Sequence, residues 1–297
     1  MALSAEGVLN INKPAGLTSH DVVNHIRRVT GIKRIGHTGT LDPLATGVLL
    51  LCVGRATRLA EYLVGQDKRY RALIHLGKET DTYDREGQVV SELPVEATHD
   101  DVEKTLECFR GEIQQQAPAY SAIKVGGEAL YKKARRGEKP DSPTRNVTVY
   151  EMTLQSWNTP FLEIELLCSS GTYVRSIAHD IGRALGCGGS LETLIRLSVG
   201  DFSIDDAIEL EDMDSENWRS PLHPLDSAVS HLARIVVSLE QAERLGHGQL
   251  TPVSGDWDEG TMLRVYDEQA NFVGITNFTD GCLKAKKIFY QPLPAPE

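Results

Sequence analysis

With 297 residues, 40% of them hydrophobic and 25% charged, the chain is long enough for a large core and has an ordinary globular make-up. No apolar run reaches bilayer-spanning length, and Met1-Ala2-Leu3-Ser4-Ala5-Glu6 lacks a basic stretch followed by an apolar one. Neither a membrane span nor a signal peptide is therefore expected. The net charge of −11 speaks against a polyanionic partner only as a sum, because what attracts a polyanion is local field.

The charge is unevenly spread. Residues 1–75 carry ten Lys or Arg against five Asp or Glu, and residues 124–145 carry seven against three. Residues 201–230 carry one against nine and read as a solvated face. The five cysteines are scattered, with no Cys-x-x-Cys pair, so neither a zinc site nor a disulfide framework is suggested. A reducing cytoplasm is the simplest home.

Val8-Leu9-Asn10-Ile11 reads as a short strand. Thr18 or Ser19 caps a helix in which Val22, Val23, Ile26 and Val29 recur at helical spacing until Gly31 stops it. Its exposed side carries His20, Asn24, Arg27 and Arg28, and Lys33 and Arg34 follow. Then comes Gly36-His37-Thr38-Gly39-Thr40-Leu41-Asp42-Pro43-Leu44-Ala45-Thr46-Gly47, with three glycines and one proline around a single carboxylate. Glycine permits close approach by another molecule, and Pro43 biases Asp42 towards an extended conformation. A turn with a capping aspartate needs one glycine. A phosphate-cradling loop would end in Gly-Lys-Ser/Thr. The run Val48-Leu49-Leu50-Leu51-Cys52-Val53 would anchor this loop as a buried strand.

Residues 57–64 read as a helix, 70–76 as an alternating strand, 84–87 as a turn, and Val89-Val90 as a returning strand. Thr98 to Phe109 is a helix with Asp100 and Asp101 at its positive end. Residues 114–145 are rich in Gln, Gly, Lys and Arg, with a helix-like stretch from Glu128 to Arg136. Residues 147–152 and 161–167 read as long sheet strands. Residues 172–185 form a helix with Arg175 in its first turn, where a cation works against the dipole by up to about 1 kcal/mol. That misfit suggests either another task for Arg175 or an exposed arginine that meets a phosphate or solvent. Residues 191–197 and 200–203 complete a large domain. An acidic connector containing Pro221 and Pro224 leads to short strands over 262–266, 272–276 and 283–289, a small β unit. The tail 292–296 is expected to be loose.

The stretch from His37 to Gly47 resembles the catalytic motif of the tRNA pseudouridine-55 synthases of the bacterial TruB type. Further blocks are similar and occur in the family's order: Asn12-Lys13-Pro14-Ala15-Gly16-Leu17-Thr18-Ser19, Lys68-Arg69-Tyr70, Gly77 to Asp84, Ala117 to Lys124, and Ser170 to Ser176. Together they cover roughly residues 8 to 200. The resemblance implies an α+β fold: a mixed, mainly antiparallel sheet flanked by helices over 1–230, and a PUA-like RNA-binding β domain over 231–297. It also makes residues 114–145 a thumb that folds over RNA.

The implied reaction breaks the bond from ribose C1′ to N1 of uracil, turns the base and rejoins it through C5, without metal or coenzyme. Asp42 matches the family's catalytic aspartate, Arg175 the arginine paired with it, and Tyr70 the tyrosine that stacks on the target base. His37 matches the histidine that wedges into the space the base vacates. Asp84 would support the base or the tyrosine, and Lys13 and Lys124 would contact the RNA backbone. The implied substrate is the T-arm of tRNA, and the protein is expected to be a monomer. The alternatives are a non-catalytic RNA-binding or tRNA-folding protein, and a nucleosidase acting through one carboxylate on a free nucleoside.

Overall fold

The computed structural model describes residues 5–118, 120, 123–130, 133, 136, 138 and 142–290, with residues 124, 125 and 129 described by backbone alone. The tail 292–296 and the lysines and arginines at 132, 135 and 139 lie outside the described residues. Strands β1 (Gly7–Lys13), β2 (Ile35–His37) and β3 (Thr46–Val53) open the chain, with helix α1 (Ser19–Thr30) after β1. The short helix α2 (Ala60–Val64) precedes β4 (Lys68–Leu76), β5 (Lys78–Thr80) and β6 (Val89–Glu92). Helix α3 (His99–Cys108) leads to β7 (Gly111–Gln116), the hairpin β8 (Lys124–Val125) and β9 (Glu128–Ala129), and the long β10 (Thr144–Asn158) and β11 (Phe161–Cys168). Then come α4 (Val174–Ala184), β12 (Gly189–Val199), β13 (Phe202–Ser203), β14 (Ile208–Glu209), β15 (Ala233–Val237), α5 (Leu239–Gly246) and β16 (Thr251–Pro252). Strands β17 (Met262–Asp267), β18 (Phe272–Thr279) and β19 (Cys282–Ile288) finish the fold.

The main sheet runs β14-β1-β3-β12-β4-β11-β10-β7, with β13 beside β12 and β2 beside β3. It is antiparallel except where β1 meets β14 and β3 meets β12. β3 sits inside it and is buried on both faces. Leu49, Leu51 and Val53 enter the larger core with α1 and α4, whereas Val48, Leu50 and Cys52 enter a second core with Ala56, Leu59, Phe202 and Phe289. Two buried faces explain why this strand is an unbroken apolar run.

α1 forms as its sequence predicts. Thr18 and Asp21 make a reciprocal capping box, Val22, Val23 and Ile26 face inward, and Gly31 ends the helix at φ +71°. β15, β17, β18, β19 and β16 form a second, five-stranded sheet over its own core of Val237, Leu245, Leu263, Val265 and Leu283. Among the described residues no helix is long and apolar enough to cross a membrane.

Two expectations are refined and two need correction. The predicted helix over 57–64 begins as a 3-10 helix (Gly54–Leu59) and becomes α-helical only at Ala60. The predicted helical stretch from Glu128 starts instead as a strand, because Gly126 and Gly127 at φ +65° and +84° turn the chain into the β8–β9 hairpin. The segment 114–145 is tied into the main sheet at both ends, through β7 and β10. The acidic connector is also more than a solvated face. Its acids are exposed except for the half-buried Asp226, which accepts from the Tyr266 hydroxyl, but Leu210, Met213 and Trp218 are buried in the larger core, and β14 pairs with β1.

Candidate active site

Asp42 stands in the loop between β2 and β3. The Ala45 N–H donates to the Asp42 carbonyl at 3.1 Å, closing a turn in which Pro43 takes the second position that its fixed φ suits. The loop is tied down from below. The Leu41 N–H donates to Ser19 Oγ at 2.8 Å, and Gly16 N–H donates to the Pro43 carbonyl at 2.8 Å. Lys13, fully buried, donates from Nζ to the carbonyls of Pro14 (2.9 Å), Leu17 (2.6 Å) and Pro43 (3.3 Å). Burial lowers its ammonium to about 8, with the Asp42 charge pulling the other way. Gly47 closes the loop at φ +99°, where a Cβ would lie 2.2 Å from the Arg196 carbonyl oxygen of the neighbouring strand. Only glycine fits there.

Arg175 reaches the loop from the first turn of α4. That helix has no side-chain N-cap; instead Gln115 of β7 accepts from the Tyr173 N–H (2.7 Å) and donates to the Tyr173 carbonyl (2.9 Å). Arg175 is buried, and its unfavourable place on the helix dipole is answered by two carboxylates. Nε lies 2.9 Å from Asp42 Oδ2, Nη2 donates to Asp42 Oδ1 at 3.4 Å, and Nη1 lies 3.5 Å from Asp84 Oδ2. Nη1 also donates to the Thr82 carbonyl (3.3 Å) and Nη2 to the Tyr120 carbonyl (3.0 Å). The other Asp84 oxygen accepts from Thr82 Oγ1 (2.6 Å) and the Glu86 N–H (3.1 Å).

Burial raises the Asp42 carboxyl above its ordinary value. Arg175 pulls it down, and the nearby charge of Asp84 pushes it up again. With 37% of the Asp42 side chain open, water still reaches the group.

Asp42, Arg175 and Tyr70 all line one cleft of about 460 Å³, within the roughly 300–1,000 Å³ usual for ligand sites. Tyr70 comes from β4, directly across from Arg196 of β12. Burial raises its phenol above the ordinary value, while the charge of the Arg196 guanidinium pulls the other way. Arg196 is itself buried and donates to the Val48 carbonyl (2.6 Å) and the Gly39 carbonyl (3.1 Å). It thus ties β12, at the position opposite Tyr70, to the Asp42 loop at Gly39 and to β3 at Val48. Lys68 also lines the cleft; its Nζ donates to the Val64 carbonyl at 2.8 Å, and burial lowers it to about 8. Arg145 stands at the wall over the Tyr173 ring, 5.3 Å from its centroid.

Three family models together match residues 27–289: TruB family pseudouridylate synthase (N terminal domain) over residues 27–174, tRNA pseudouridylate synthase B C-terminal domain over 175–242, and Pseudouridine synthase II TruB, C-terminal, over 233–289. Proteins named tRNA pseudouridine synthase B are similar over nearly their whole length. That of Clostridium kluyveri is 41% identical, over 96% of this chain and 99% of its own, and that of Yersinia pestis 40% identical, over 95% and 91%. The chain belongs to the TruB family of pseudouridylate synthases.

Among solved structures, a Cbf5-Nop10-Gar1 complex contains a chain 25% identical to this TruB-family protein, with a TM-score of 0.75 over 96% of this chain and 85% of that one. An H/ACA RNP bound to a substrate RNA containing 2′-deoxyuridine gives 24% and 0.74 over the same shares, a likeness of fold.

Of the residues singled out in the sequence, the fold therefore brings Asp42, Tyr70 and Arg175 to one cleft. His37 stands just outside it in β2, half-buried, its Nδ1 accepting from the Gly39 N–H at 3.4 Å. Burial lowers its imidazole below the ordinary value, and the charges of Arg196 and His20 add to that. One expectation is corrected. Lys13 is sealed beneath the loop and touches carbonyls, so it cannot reach an RNA backbone. Asp84 is buried and meets Arg175. The Lys124 side chain lies outside the described residues. Sequence reasoning missed Arg196, Lys68 and Arg145 as cleft residues. Lys68 sat in a quoted block, two residues before Tyr70, whereas Arg196 had only its place in an apolar strand to mark it.

Proposed function

We propose that this chain isomerises uridine to pseudouridine in tRNA, at T-loop position 55, with Asp42 as the catalytic carboxylate. The observation that carries the reading is the ion pair of Asp42 and Arg175 in a cleft whose wall is the Tyr70 ring. A uridine must leave its stack to reach that carboxylate, at a cost of a few kcal/mol. Stacking on Tyr70 returns about 1–3 kcal/mol, and phosphate contacts from Arg145 and the basic residues among 1–75 supply the rest. His37, at the mouth, fills the place of the extruded base.

Asp42 then drives cleavage of the C1′–N1 bond, the base turns within the cleft, and C1′–C5 forms. C5 loses one proton and N1 gains one, so the product is an isomer and the step balances without oxidant or co-reactant. Arg175 keeps Asp42 ionised as the RNA excludes water. A phenol held above its ordinary value is protonated at neutral pH, so Tyr70 serves as platform and hydrogen-bond donor. Taking up the C5 proton would require stabilisation of its phenolate by Arg196. We read residues 114–145 as a thumb over the RNA, and the small sheet towards the C-terminus as a PUA-like unit that contacts it further.

The test is tritium release from a C5-labelled T-arm transcript. The wild type should release tritium from the transcript and none from free uridine, and its affinity for the transcript should fall steeply as salt rises. Salt-sensitive binding without release would instead indicate an RNA-binding protein. Release from free uridine with no RNA affinity would indicate a nucleosidase.

A further inference from the structure

Behind Arg175 lies a cluster to which the reaction assigns no task. His179, one helical turn further along α4, is buried. Its Nε2 lies 2.8 Å from Glu79 Oε1 and its Nδ1 lies 2.9 Å from Asp180 Oδ1. The Tyr83 ring stacks on the imidazole at a centroid distance of 3.9 Å and an interplanar angle of 25°.

Tyr83 adopts φ +65°, a strained conformation for a bulky side chain that persists only where its surroundings impose it. The surroundings are visible. The Tyr83 N–H donates to the Thr80 carbonyl, the Leu191 N–H donates to the Tyr83 carbonyl, and the ring is held on His179. The residues on either side of Tyr83 are two of the four that hold Arg175: Thr82 through its carbonyl and Asp84 through its carboxylate. One imidazole thus fixes the 79–84 turn from one side while the guanidinium one turn away is fixed by the same turn from the other.

We propose that His179, with Glu79, is a positioning residue: it locks the 79–84 turn so that Thr82 and Asp84 aim the Arg175 guanidinium at Asp42. The cluster does not line the cleft, so it acts through Arg175 and not on the substrate. The inference rests on the reading of the cleft as the isomerisation site.

The experiment measures single-turnover conversion of a T-arm transcript, and transcript affinity, for His179→Phe, His179→Gln and Glu79→Gln. A purely structural role would lower thermal stability and leave the turnover of folded enzyme intact. A positioning role predicts kcat lowered by up to about 100-fold, the scale of a roughly 1 Å misplacement, with transcript affinity within twofold of wild type. His179→Gln, which keeps a donor for Glu79, should recover part of what His179→Phe loses, although only phenylalanine keeps the stack on Tyr83. In the double variant His179→Phe with Arg175→Lys, the loss should be close to that of Arg175→Lys alone, because both act through one guanidinium. Multiplying losses, or folded His179→Phe and Glu79→Gln converting at the wild-type rate, would overturn the proposal. If the wild type itself converts nothing, the reading of the cleft fails instead. Should His179→Phe not fold, Glu79→Gln decides, since Glu79 is partly exposed and the change keeps its shape.

Discussion

Replacing Arg175 separates the two things it supplies, charge and shape. Its guanidinium meets four groups: Asp42 at 2.9 Å, Asp84 at 3.5 Å, and the carbonyls of Tyr120 and Thr82 at 3.0 and 3.3 Å. Arg175→Lys keeps the charge, but a single ammonium cannot span all four. At least one buried acceptor is then left without its donor, at about 1–3 kcal/mol, and the aim at Asp42 is lost. Taking about 2–4 kcal/mol for the combined loss in the transition state, and 1.36 kcal/mol per factor of ten, conversion should fall roughly 30- to 1,000-fold.

Arg175→Met also removes the charge that holds the Asp42 carboxyl down, so burial and Asp84 then act on it unopposed by this partner. The rate of conversion falls as pH drops through the Asp42 titration, and in Arg175→Met that acid limb should move to higher pH than in the wild type. In Arg175→Lys it should stay nearly in place. The assay is single-turnover tritium release across a pH series, with circular dichroism confirming that each variant is folded. Arg175→Lys at the wild-type rate, or an unmoved acid limb in folded Arg175→Met, would refute the pairing as the source of Asp42's activation.

Three further outcomes are expected. Tyr70→Leu should lose about 1–3 kcal/mol of stacking, roughly 5- to 150-fold in conversion, whereas Tyr70→Phe, keeping the ring, should lose far less; single-turnover rates decide. Gly47→Ala should be among the most destabilising single changes in the chain, because its Cβ has no room beside the Arg196 backbone; urea unfolding should show a lowered midpoint. Lys13 is held at about 8 against an ordinary 10.5, so between those values the unfolded chain binds more protons than the folded one, and stability contributed at this site rises with pH. The wild type should therefore gain stability relative to Lys13→Met between pH 8 and 10.5, as read from urea midpoints at both ends of that window.

What the sequence disclosed and what it withheld divide along a physical line. Signals carried by neighbours in the chain were legible: the helix cap at Thr18 and the buried apolar run of β3. The Arg175 misfit was legible too, because a cation in a first helical turn is unfavourable before any partner is known. Lys13, Arg196 and Asp84 were opaque, since lysine, arginine and aspartate default to the surface and are buried only with partners the chain does not place nearby. Arg196 meets Gly39 and Val48 from about 150 residues away, and no local pattern encodes that. β15 and α5 were missed for a different reason. Ser238 and Gln241 form a capping box that spacing alone could have revealed, but it lies in a region read only for strands.

The most direct test of the account is Asp42→Asn, which keeps the side chain's size and its place at the turn while removing its charge. The account predicts wild-type affinity for a C5-tritiated T-arm transcript and no tritium release above background. Release at a rate near that of the wild type would show that the carboxylate in this cleft does not carry the reaction.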